Sequence, residues 1–274
     1  MDNPMSKPKA ETFAELVEAN QTGEQSWSFN LVEAFNGAFG GTNGGLLAAL
    51  CVFCARHAAP GREPIGLDAR FIRGFSPGAA KTTMEVLHHG RTLTTVTVDI
   101  RDNDDRLSTR GSVTLVAPDA LAELDYPAKS PPTEDITPLA DGKVWPQPGG
   151  KMFIPLIDTF QPRYLGRSDQ GIATAVGLPW KAAGNGAEAA CIAADISVGP
   201  PVASALKGQL LAIPNPDISL RFTGRQVTRD HLVSHCALVA LNSGIATTYL
   251  SVYDGETLIA NGVSSTTCLS GKKG

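Results

Sequence analysis

The sequence predicts an α+β protein built from two antiparallel sheets, each wrapping an apolar helix and joined edge to edge. The first observation is an internal repeat. Residues 65–73 read Ile-Gly-Leu-Asp-Ala-Arg-Phe-Ile-Arg and residues 216–224 read Pro-Asp-Ile-Ser-Leu-Arg-Phe-Thr-Gly, so Arg70-Phe71 superposes on Arg221-Phe222 at an offset of 221 − 70 = 151. The second is that each copy follows a helical stretch apolar on nearly every face, which must be enclosed by protein. The third is that each copy opens a run of strand-like segments separated by turn residues.

Taken in order, residues 11–20 place apolar side chains at helical spacing and predict a short leading helix, and residues 25–33 alternate as a first strand. A loop with glycines at 37, 40, 41, 44 and 45 precedes the apolar helix LLAALCVFCARHA. Strands follow at 65–73, 81–89, 91–101 and 106–117, with turns at Ser76-Pro77-Gly78, Gly90 and Asp102 to Asp105. Residues 118–150 contain seven prolines and few periodic apolar positions, which predicts a linker crossing the surface. Beyond it, 152–165 and 171–180 are strand-like, and 187–206 is an Ala-rich helix interrupted at Pro200-Pro201. Strands at 217–223, 231–241, 245–253 and 257–268 complete the chain, with Asp254-Gly255 a hairpin signal. The repeat extends past its anchor, since 90–98 matches 244–252 at an offset of 244 − 90 = 154. The expected units are an N-terminal half at 11–117, the linker at 118–150 and a C-terminal half at 151–269. A sheet curled around one apolar helix is the hotdog fold, and two halves side by side remove two exposed sheet edges.

Composition narrows the function. The 42% apolar and 18% charged residues suit a soluble globular protein, and the net charge of −4 offers no basic face, so nucleic acid and anionic membrane are not expected partners. The N-terminus lacks the apolar stretch of a secretory signal, and the five cysteines lie in apolar contexts, so a cytoplasmic protein with free thiols is expected. Cys51, Cys54 and His57 have metal-like spacing, but all sit on one helix among bulky apolar neighbours with no second ligand pair, so core packing is the reading.

The order of AFGGTNGGLLAAL, GLDARFIRG, the run from Leu87 to Val116 and the C-terminal YDGETLIANGVSS resembles the acyl-CoA thioesterase II family of double-hotdog enzymes, over about residues 25–268. The resemblance implies hydrolysis of an acyl-CoA to a free acid and coenzyme A, a place in fatty acid metabolism, and no metal or prosthetic group. It also implies a general base assisted by a Thr or Ser and a Gln that hold water. The base falls on Asp195, the only acid in ACIAADISVG. The other two positions depart from the pattern: Asn215 stands where a Thr or Ser is usual, and the Gln position falls near Ser264. Gly40 and Gly41 are candidates for the oxyanion or pantetheine approach because glycine lets backbone amides come close to a ligand, and Arg91 is a candidate for the coenzyme A phosphates. The first-half helix carries no acid between Gly40 and His57, so one active centre per chain is expected, with Asp195 as its helix-borne acid. The departures leave open a non-catalytic acyl-CoA or acyl-chain binding protein. A hydratase or dehydratase would want a His–acid pair, and no His lies near Asp195 in sequence. Association into a homo-oligomer through helix faces or sheet edges is compatible with the fold.

Overall fold

A computed structural model describes residues 10–147, 153–209 and 212–270. The helices are α1 (Phe13–Leu16), α2 (Gly44–Ala58), α3 (Pro155–Phe160) and α4 (Gly186–Ala205). The first-half strands are β1 (Asn20–Gly23), β2 (Ser26–Leu31), β3 (Glu63–Phe71), β4 (Gly78–His89), β5 (Leu93–Arg101) and β6 (Leu107–Val116). Those beyond are β7 (Lys143–Val144), β8 (Arg163–Ser168), β9 (Gly171–Gly177), β10 (Asp217–Phe222), β11 (His231–Asn242), β12 (Ile245–Asp254) and β13 (Thr257–Thr267).

All the strands join in one antiparallel sheet, ordered β1-β2-β4-β5-β6-β3-β10-β13-β12-β11-β9-β8-β7. The two expected sheets are therefore one continuous sheet. Two edge strands side by side leave unpaired backbone groups that bond to each other, and here β3 and β10 do so from Asp217↔Arg70 to Arg221↔Gly66. The order on either side of that seam is mirrored, β3-β6-β5-β4-β2 against β10-β13-β12-β11-β9.

Both long helices lie inside the curve of the sheet. From Gly45 to Ala55 every residue of α2 is buried, and from Gly186 to Val198 every residue of α4 is. They pack closely on each other. A Cβ at Gly45 would stand 2.6 Å from the Cys191 carbonyl oxygen and 2.7 Å from Asp195 Cβ, so only glycine permits the approach. Side chains of both halves belong to one apolar core.

Three local expectations change. Residues 11–20 form only the four-residue α1, because the chain turns into β1 at Asn20. Of the segment read as a strand at 152–165, residue 152 lies outside the described residues, and the described part is α3 followed by the start of β8. Pro155 occupies the first helical position, where its missing N–H costs nothing, and Gln161 ends the helix in the left-handed region. In α4 the expected interruption at Pro200-Pro201 is absent, and one helix runs through both prolines. They remove two N–H donors, and the ladder resumes beyond them with Leu206 N–H donating to Val202. The Asp254-Gly255 signal holds: Asp254 pairs with Thr257 across a tight turn in which Gly255 has φ +60°. Among the described residues no helix is long and apolar enough to cross a membrane.

Candidate active site

The N-terminus of α2 meets the middle of α4 beside the loop entering β10, and all three border one cavity of about 780 Å³. Asp195 on α4 opens into it while only 8% exposed. Both carboxylate oxygens are held. Asn43 Nδ2 donates to Oδ2 at 2.6 Å, and Asn215 Nδ2 donates to Oδ1 at 2.6 Å. The Gly45 N–H adds a backbone hydrogen bond. Burial pushes the Asp195 carboxyl above its ordinary value, while the bonds from Asn215, Gly45 and Asn43 pull it back, leaving it raised. A carboxylate with its proton affinity raised by burial is a better base, and three donors leave it lone-pair capacity for a water.

Each amide is placed by local chemistry. Asn43 is the N-cap of α2, its Oδ1 accepting from Leu46 N–H at 3.1 Å. Asn215 lies between Pro214 and Pro216, whose rings restrict the backbone on both sides. The carbonyls of those prolines are tied down, Pro216 by Phe71 N–H at 2.8 Å and Pro214 by Thr267 N–H at 2.9 Å.

The first turn of a helix has N–H groups with no intrahelical acceptor. In α2 the Leu46 N–H goes to Asn43 and the Gly45 N–H to Asp195, leaving the Gly44 N–H as a first-turn donor at the cavity wall. Gly44 permits this because a Cβ there would stand 2.8 Å from the Phe71 ring and 3.1 Å from Asp195 Oδ1. The cavity walls are mostly apolar and include Phe39, Phe71, Trp145 and Leu156. Arg73 lies on the rim, its backbone pinned by Ser108, whose Oγ donates to the Arg73 carbonyl at 3.0 Å. Its guanidinium is exposed and makes no ion pair among the described residues.

Of the residues singled out in the sequence, Asp195, Asn215 and Gly41 border this cavity. The other three do not. Ser264 is buried on β13 with its hydroxyl donating to the Asp217 carbonyl at 2.7 Å, and the β13 residue that reaches the cavity is Thr267. Gly40, with φ +75°, forms the outside of the tight turn closed by Gly37 N–H to the Gly41 carbonyl. Arg91 belongs to the β4–β5 turn, where its carbonyl and that of Gly90 face Arg62, just past the C-terminus of α2. The cavity lies at the other end of that helix, about 22 Å away at 1.5 Å per residue. Sequence reasoning missed Asn43 and the part that Gly44 and Gly45 play in the site, while Arg73 was as open a candidate for the coenzyme A phosphates as Arg91. An Asn before an apolar helical run is a legible cap, but nothing local marks its second partner.

The repeat supplies a comparison inside the molecule. At the offset of 151, Phe71 corresponds to Phe222, Arg73 to Gly224 and Asn215 to Pro64, since 64 + 151 = 215. Phe222, Gly224 and Pro64 line a remnant of about 10 Å³ at the start of α4. Arg56 closes it, with NH1 2.9 Å from Glu63 Oε2 and Nε 3.0 Å from Glu188 Oε1. Helix α4 thus carries two acids rather than one. Glu188 is fully buried, and desolvation raises its pKa while Arg56 opposes the rise.

Residues 34–116 match the family model described as the acyl-CoA thioesterase N-terminal domain. No curated relative matches the sequence. Among solved structures, the tesB protein of Mycobacterium avium subs paratuberculosis superposes with a TM-score of 0.70 at 16% identity, covering 92% of this chain and 96% of that one. The acyl-CoA thioesterase II TesB2 from Mycobacterium marinum gives 0.69 at 15%, covering 95% and 98%. A conserved protein of unknown function with hot dog fold from Alicyclobacillus acidocaldarius gives 0.74 at 14%, covering 92% and 96%. At these identities the likeness is one of fold.

Proposed function

We propose, from the match of residues 34–116 to the acyl-CoA thioesterase N-terminal domain, that the chain hydrolyses an acyl-CoA to the free acid and coenzyme A, with Asp195 activating the water. The observation that carries this is a buried carboxylate, gripped on both oxygens by Asn43 and Asn215, opening into a mostly apolar cavity beside a helix N-terminus.

In this reading the acyl chain lies against the apolar walls, and its thioester carbonyl points at the Gly44 N–H and the positive end of α2. Water bound to Asp195 attacks the carbonyl carbon as the carboxylate takes its proton, and the resulting oxyanion rests on the α2 terminus. Collapse of the tetrahedral species breaks the C–S bond and expels the coenzyme A thiolate, which takes the proton back from Asp195. A thiol of ordinary pKa about 8.5 is a good leaving group, so the site needs no strong acid. Asn215 stands in for a hydroxyl by fixing the carboxylate rather than the water. The anionic part of coenzyme A leaves past Arg73, which takes the role expected of Arg91. Among the described residues no histidine lines the cavity, so a hydratase reading lacks its imidazole there. We read the mirrored halves, 11–117 and 151–269 around the 118–150 segment, as a tandem hotdog with one open centre.

The test is release of free thiol by the purified protein across acyl-CoAs of graded chain length and aryl-CoAs. Turnover of at least one class, lost in Asp195→Asn, is expected. Absence of turnover above background across the panel overturns the proposal.

A further inference from the structure

Asn43 does two things at once. Its Oδ1 accepts the Leu46 N–H and caps α2, while its Nδ2 donates to Asp195, 152 residues away on the other long helix. Ser, Thr and Asp cap helices about as well as Asn. None of them can both accept from the helix and donate to a carboxylate at that reach, because Asp has no donor when ionised and the hydroxyls are shorter. Asp at 43 would set a second carboxylate against the first. The amide orientation follows from the same pairings, since turning it over would place Oδ1 against Asp195.

The equivalent helix supplies an internal contrast. Helix α4 also has Asn at its N-cap, Asn185, yet that side chain makes no capping bond. The work of Asn43 is therefore particular to the open site. The Ser264 hydroxyl is committed to a backbone carbonyl and gives nothing to that site.

We propose that Asn43 is a positioning residue that fixes the rotamer of the Asp195 carboxylate, so that its remaining lone pair faces the cavity. The proposal rests on the reading of Asp195 as the base. Locking the carboxylate from α2 also couples the two halves, because any slide of α2 against α4 breaks the bond. Of the other titratable or charged groups, Cys191 one turn earlier on α4 interacts with Asp195, and Arg73 borders the same cavity. Burial holds the Cys191 thiol well above its ordinary value, so it stays neutral.

The experiment compares Asn43→Ser, which keeps a capping hydroxyl, with Asn43→Asp and with the control Asn185→Ser. Readouts are Tm, the pH dependence of kcat/KM, and an NMR titration of the Asp195 carboxyl carbon. Asn43→Ser is expected to keep Tm within about 2 °C because the cap survives. Its kcat is expected to fall roughly ten- to hundredfold, the worth of a hydrogen bond to a charged group, with KM little changed. The Asn43 donor favours the ionised carboxylate, so its loss raises the Asp195 pKa, and the acid limb and the titration should both move to higher pH. Asn43→Asp should move them further, and Asn185→Ser should change none of the three. The proposal is overturned if Asn43→Ser leaves the Asp195 titration where it was, or if its kcat stays within twofold of wild type. If the unmutated protein turns over no acyl-CoA, the hydrolase reading fails, while the titration still decides what Asn43 does to Asp195.

Discussion

Asp68 on β3 and Ser219 on β10 face each other at the seam of the sheet, with Ser219 Oγ donating to Asp68 Oδ1 at 2.5 Å. Their separation, 219 − 68 = 151, equals the offset of the sequence repeat. Residues that correspond in the repeat thus pair with one another there, and on either side the pairing crosses over, Arg70 with Asp217 and Gly66 with Arg221. The seam is the approximate two-fold axis of the molecule. The five strands from β3 to β2 have counterparts across it from β10 to β9, and α2 has one in α4, which makes the contrast between the open cavity and its remnant a chemical one.

Removing the charge of Asp195 without changing its shape tests the base. Asp195→Asn should lower kcat by at least a hundredfold, the lower end of what positioned acid–base groups contribute, with the fold retained by circular dichroism. In the unmutated enzyme, activity should rise with pH through the Asp195 pKa, which burial places above the ordinary aspartate value of 3.8. An acid limb at or below that ordinary value would assign the titration to another group.

Arg73 should act on coenzyme A and leave the acyl chain alone. Arg73→Ala is predicted to raise KM for acyl-CoA about five- to tenfold, the worth of roughly 1 kcal/mol for an exposed charge pair, and less at high salt. The N-acetylcysteamine thioester of the same acid lacks the phosphates, so its KM should not move. Equal loss on both substrates would make Arg73 structural.

Glycine at 44 and 45 is required by close approach. Gly45→Ala forces a Cβ against the Cys191 carbonyl oxygen at 2.6 Å, backbone that cannot swing aside, and should cost about 1–3 kcal/mol of stability as overpacking. Gly44→Ala meets the Phe71 ring and Asp195 Oδ1, so it should lower kcat more than it lowers Tm. Urea denaturation and steady-state kinetics on both variants give the comparison.

The closed remnant at the start of α4 carries a pH dependence through Arg56 and Glu188. Burial raises the folded-state pKa of Glu188 above its ordinary 4.5, so this group favours folding at low pH and loses that contribution as pH rises through the raised value. Arg56 offsets the loss. Arg56→Met should therefore cost about 2–4 kcal/mol at pH 7.5, discounted from the usual figure for breaking a buried pair because Arg56 is partly exposed, and clearly less at pH 5. A deficit equal at both pH values would mean that the ion pair does not hold Glu188 ionised.

Strand alternation, helical periodicity, the repeat and the Asp195 position were all legible in the sequence, because each depends on residues near one another in the chain or on a pattern that recurs. The strand at 152–165 was misread because an apolar run flanked by proline has no periodicity long enough to separate a helix from a strand. Pro200-Pro201 reads as an interruption because the local rule ignores a helix held on all sides by a core.

The sequence by itself determined the duplicated scaffold, the two apolar helices and the single acid in the middle of the second one. Only the tertiary structure decided which groups reach that acid. Asn43 and Asp195 are 152 residues apart and meet because Gly45 lets α2 and α4 close together, a crossing set by packing. The same crossing puts Arg91 at the far end of α2, and the β10–β13 pairing turns the Ser264 hydroxyl onto a carbonyl. Local patterns fix which way a side chain points along its own element; where that direction leads depends on what the core packs against it.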